Sequence, residues 1–210
     1  MKRSFPACGA IVAIAALCAH GKAEAFSVSI GPPGHRAIYL QVGNGSYTGT
    51  YAGGGTPGTN ATVNQVTVSV PAGAMGSGAA QQMTSDSIQS VSYYNGRAFC
   101  NPPVQVYIGG FFRFPGPGIA TLSVTTSAAN LVNATGDTIP FSQISWTSAG
   151  TGDVGVEVIP GGSFTGGTQT LASFATDSWN ESCHTFSYAN TASVASGTYT
   201  GRATYTLSSP

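Results

Sequence analysis

The sequence predicts an all-β fold, an antiparallel β-sandwich, and three observations carry that expectation. Short apolar–polar alternations recur along the chain at the spacing of sandwich strands. Glycine and proline, 29 and 12 of 210 residues, lie between those alternations as turn signals and do not gather into a linker. The sharpest alternation is residues 197–207. There Tyr199, Gly201, Ala203, Tyr205 and Leu207 fall on one face of an extended strand, and Thr198, Thr200, Arg202, Thr204 and Thr206 on the other. One face can be buried and the other wetted, as in an antiparallel sheet lying over a core.

Residues 1–25 read as a cleaved secretory signal. Lys2 and Arg3 precede an apolar run at residues 10–19, and Ala23-Glu24-Ala25 supplies the small-x-small cleavage pattern. The run is about half the length that crosses a bilayer core. Residues 26–210 are expected to form a single β-sandwich domain of about eight to ten strands, with little or no helix.

Phe26, Val28 and Ile30 open the mature chain as a short alternation that stops at Gly31-Pro32-Pro33-Gly34. Residues 37–42 form the next extended run, and Asn44-Gly45 is a hairpin signal before a Tyr/Thr strand at 46–51. Residues 53–59 are Gly-rich and read as a loop. Val66, Val68 and Val70 alternate up to Pro71. Residues 79–89 are a candidate short helix, although they lack an apolar stripe. Further strands are expected at 91–94, 104–108, 122–124, 139–146, 154–159, 169–174 and 183–188, with Trp146 in the core.

The charge balance narrows the function. Without the signal the chain has no lysine; Arg36, Arg97, Arg113 and Arg202 stand against Asp86, Asp137, Asp153, Glu157, Asp177 and Glu181. No basic patch exists to neutralise phosphates, which argues against nucleic acid and against docking on anionic lipid. Such a neutral surface tolerates stacking against copies of itself. Cys8 and Cys18 leave with the signal, and the remaining pair, Cys100 and Cys183, most simply forms a disulfide in an exported chain. Closing so long a loop stabilises by about 4 to 5 kcal/mol. The alternatives are two separate thiols or a metal site, the latter without a C-x-x-C pair.

Catalytic chemistry has weak support. Asp177, Ser182, Glu181 and His184 form the best acid/base cluster, but a local run in a β-protein rarely converges on a cleft. Asp153 and Glu157 share a strand face at about 13 Å, beyond either glycosidase separation. No spacing supports a metal site at His35 and His184, and no cofactor or enzymatic activity is expected. Glycan binding has better support: Tyr47 and Trp179 are candidate exposed stacking faces.

The chain's end resembles the subunits of chaperone–usher pili (fimbriae), of the alpha-type pilin class. Gly197-Thr198-Tyr199 and the alternation to Leu207 match the closing strand of those subunits in type and position, and Ile139-Pro-Phe-Ser-Gln-Ile-Ser-Trp146 is similar to their mid-chain strand. The resemblance implies an incomplete immunoglobulin-like sandwich, filled by a periplasmic chaperone and then by a neighbouring subunit, with an usher as further partner. β-Strand addition would join the subunits. On this view Tyr199, Gly201, Ala203, Tyr205 and Leu207 edge the groove, and Phe26, Val28 and Ile30 are the donor plugs. Gly201 and Ala203 would leave room there for a partner's larger side chains. A self-complete secreted sandwich that binds glycan or a host surface is the alternative.

Overall fold

The computed structural model describes residues 37–50, 54–57, 64–150 and 158–209. Two stretches singled out in the sequence, the expected signal at 1–25 and the candidate donor segment with Phe26, Val28 and Ile30, lie outside them, as do His35, Asp153 and Glu157.

The described residues are all-β, with two short 3-10 turns and no α-helix. The strands are β1 (Ala37–Val42), β2 (Tyr47–Thr50), β3 (Gly54–Pro57), β4 (Val66–Thr67), β5 (Gln81–Gln82), β6 (Thr84–Ser85) and β7 (Val106–Arg113). They continue with β8 (Ile119–Thr126), β9 (Asn130–Val132), β10 (Thr138–Pro140), β11 (Ile144–Ala149), β12 (Gly162–Ser163), β13 (Thr168–Ala175), β14 (Ser178–Tyr188) and β15 (Ala203–Ser208).

Two sheets carry the architecture. The larger runs β1-β7-β14-β11-β12, with β5 paired to the end of β14; the smaller runs β13-β8-β15. Every ladder is antiparallel. The strands of the smaller sheet alternate: in β8, Ala120, Leu122, Val124 and Thr126 are buried while Ile119 and Thr125 are exposed. Ala120 and Leu122 meet Ile108 and Phe112 of β7 and Phe174 of β13 in one part of the core. Val106, Val124, Trp146, Phe164 and Phe186 form the other part. Trp146 is buried as expected, and its indole Nε1 donates to the Pro160 carbonyl at 3.0 Å.

Several local expectations need correction. Residues 79–89 form no helix; β5 and β6 lie there, because the segment finds strand partners in β14 and β4. Asn44-Gly45 does not close a hairpin between β1 and β2, since β1 pairs with β7 and β2 with β3. Gly54–Pro57 is strand and not loop. The strand expected from residue 183 begins at Ser178, so the polar run before the cysteine is part of the sheet.

Cys100 and Cys183 are joined, with Cα atoms 5.4 Å apart, across 83 residues of sequence. The bridge ties the segment before β7 to the outer face of β14.

Candidate functional site

The closing strand keeps the alternation its sequence imposes. Ala203, Tyr205 and Leu207 are half-buried toward the core, while Thr204, Thr206 and Ser208 are exposed. One edge of β15 is laddered to β8, from Ala203 opposite Thr126 to Ser208 opposite Thr121. On the other edge no strand pairs with it among the described residues.

That free edge faces the end of the larger sheet. β1 is the last strand there, and it approaches β15 without any ladder between them. Leu40 and Val42 of β1 pack into the same cluster as Tyr205 and Leu207. The seam therefore has an apolar floor and two strand edges, neither of them laddered on its facing side among the described residues. The Tyr205 hydroxyl is buried beneath it with no hydrogen-bond partner among the described residues, and burial raises its pKa.

The edge is shorter than the sequence suggested. Tyr199 and Gly201 precede the strand; the backbone there turns to β9, where Thr200 and Val132 exchange two hydrogen bonds of 3.0 Å. A Cβ on Gly201 would stand 2.6 Å from the Phe141 ring and 2.7 Å from a Leu131 methyl. The room expected at Gly201 is thus filled from within the chain. The Tyr199 hydroxyl donates to the Ala195 carbonyl at 2.8 Å. The edge without a strand partner among the described residues is Ala203–Ser208.

The two candidate glycan-stacking residues part company. Tyr47 is half-buried, its ring 5.1 Å from Tyr39 and edge-on to Trp179 at 5.9 Å. Trp179, expected to be exposed, is 2 % exposed. Its ring stacks on Phe111 at 5.6 Å and its Nε1 donates to the Glu181 carboxylate at 3.0 Å. The reason is the strand that begins at Ser178: alternation puts Trp179, Glu181 and Cys183 on one face, which the segment carrying Ser92 and Cys100 covers.

The same alternation disperses the acid/base cluster. The Glu181 carboxylate, buried on the outer face, also accepts from the Ser92 hydroxyl at 2.5 Å and the Tyr107 hydroxyl at 2.7 Å. Ser182 and His184 point to the opposite face. There the Ser182 hydroxyl accepts the Ile159 N–H at 2.7 Å, and His184 Nε2 lies 3.2 Å from the Ile159 carbonyl oxygen. Burial lowers the His184 pKa from 6.5 to about 4. Asp177 sits in the β13–β14 turn at φ 57°. Carboxylate and imidazole on opposite faces of one strand cannot share a proton with one serine, so the triad reading fails on geometry. The sequence picks out Ser182 and His184 but not their burial, because their partner, the Ile159 backbone, is distant in the chain.

No family model matches the chain, and no curated protein or solved structure matches it either.

Proposed function

We propose that this chain is an exported structural subunit of a pilus- or fimbria-like surface assembly, joined to its neighbours by β-strand exchange. The observation that carries the reading is the seam between β1 and β15. Two strand edges border an apolar floor formed by Leu40, Val42, Tyr205 and Leu207, with no strand laddered to the free edge of β15 among the described residues.

A strand added there would take main-chain hydrogen bonds from Ala203–Ser208 and set alternate side chains on that floor. The segment with Phe26, Val28 and Ile30 has the matching alternation and a comparable length. It would act as the donor, in the manner of an incomplete immunoglobulin-like domain. A periplasmic chaperone would hold the edge until an usher brings the next subunit, and the leading signal would deliver the chain there. The scarcity of charge and the disulfide suit an exported assembling subunit.

Periplasmic expression of the mature chain without any chaperone tests this. Degradation or polymerisation is expected. A stable monomer would sink the strand-exchange reading and favour a self-complete sandwich with Tyr47 available to a glycan.

A further inference from the structure

The outer face of the smaller sheet presents hydroxyl side chains in cross-strand register. Thr168, Thr125 and Thr204 form one rank across β13, β8 and β15, and Thr170, Ser123 and Thr206 form the next. A bulge after Thr170 would ordinarily turn later side chains over, but both Leu171 and Ala172 pack inward. Ser173, Thr121 and Ser208 therefore complete a third rank on the same face. All nine positions are Ser or Thr, seven of them exposed and Thr121 and Ser123 half-exposed. Arg202, two residues before Thr204, is the nearest charge along β15 and lies beyond the first rank.

We infer that this hydroxyl face is a lateral self-association surface, and that its partner is the same face of a second copy of the chain. Three physical arguments favour that occupant. A hydroxyl both donates and accepts, so the three ranks, which end at exposed Ile119 opposite Ala175, can meet their own image about a two-fold axis without a mismatched pair. Within the face this already happens: Thr125 Oγ1 and Thr168 Oγ1 are 2.9 Å apart, and either can donate. No ionised group stands in the ranks, so two copies meet without like-charge repulsion. No aromatic ring lies in them, which removes the stacking that a sugar would need.

Size decides how the face acts. Strands about 4.8 Å apart, with same-face residues about 6.8 Å apart along each, give a patch of roughly 300 Å². A stable pair needs about 800 Å² per partner, so one contact alone is weak. Repeated along a polymer, such contacts add through effective concentration and bind neighbouring polymers side by side. This last step rests on the strand-exchange reading, whereas the attraction between faces does not.

The test compares the native chain with a Thr170→Lys/Thr206→Lys variant and with a charge-matched control, Gln82→Lys/Thr198→Lys, placed on exposed positions outside the ranks. Circular dichroism checks that each is folded. If the chain polymerises, electron microscopy should show native and control polymers in bundles and face-variant polymers single. If it stays monomeric, which refutes strand exchange, static light scattering should show net self-attraction in native and control chains and its loss in the face variant. Equal behaviour of the face variant and the control, in either case, overturns the inference. So does native protein with neither bundles nor attraction.

Discussion

His184 should make this protein acid-sensitive by an amount that can be isolated. The imidazole is fully buried, stacked on Trp146 with ring centroids 5.8 Å apart. Its cross-strand neighbours are Ser148 and Val106, and Ser182 and Phe186 flank it along its own face, so none of them is a carboxylate that could hold an imidazolium. Burial lowers its pKa to about 4 against 6.5 for a free histidine. The folded value is the lower one, so the unfolded chain takes up the proton first as pH falls. This stabilisation is complete above pH 6.5, declines between 6.5 and about 4, and has gone below that. By about pH 4.5 the loss is about 2.5 kcal/mol, a large share of a typical domain's total. Urea unfolding at neutral pH and at about pH 4.5 measures it, with His184→Gln as the reference that keeps a donor for Ile159 and cannot titrate. The native chain should lose about 2.5 kcal/mol more than the variant over that interval. Equal losses would refute the reasoning, since carboxylates contribute to both.

Three further perturbations have expected outcomes. Replacing both bridged cysteines by serine should destabilise by about 4 to 5 kcal/mol, read by denaturant unfolding, because the bridge closes a long loop. Gly201→Ala forces a methyl against Phe141 and Leu131, and should cost about 1 to 3 kcal/mol in thermal melts; a neutral effect would mean the room at Gly201 is open after all. Glu181→Ala strands the donors of Ser92, Tyr107 and Trp179, and should cost about 3 kcal/mol or more. A smaller loss in Glu181→Gln, which still accepts, would separate lost hydrogen bonds from lost charge.

What could be read from the sequence was whatever a strand's own period decides. β1 begins and ends where its alternation does, and Ala203, Tyr205 and Leu207 face inward because Thr204 and Thr206 face out. What could not be read depends on partners distant in the chain. The start of β14 looks like a polar loop, yet its inward Asn180, Ser182 and His184 are buried, the last two against the Ile159 backbone. Trp179 looks like an available ring, yet Tyr39, Tyr47 and Phe111, distant in the chain, close around it. Residues 81–85 have no strand signal of their own and gain it only by pairing with β14 and β4. At the site, the edge itself was legible, but its upper limit was not, because Phe141 and Leu131 fill the space at Gly201 from another strand pair and its turn.

Disulfide trapping between two separately tagged chains tests strand exchange most directly. One chain would carry Val28→Cys in the donor segment and the other Leu207→Cys at the seam. Strand exchange should give a mixed-tag covalent dimer when the two are assembled together. A chain carrying both substitutions that closes only upon itself, with no mixed dimer from the separate chains, would contradict it.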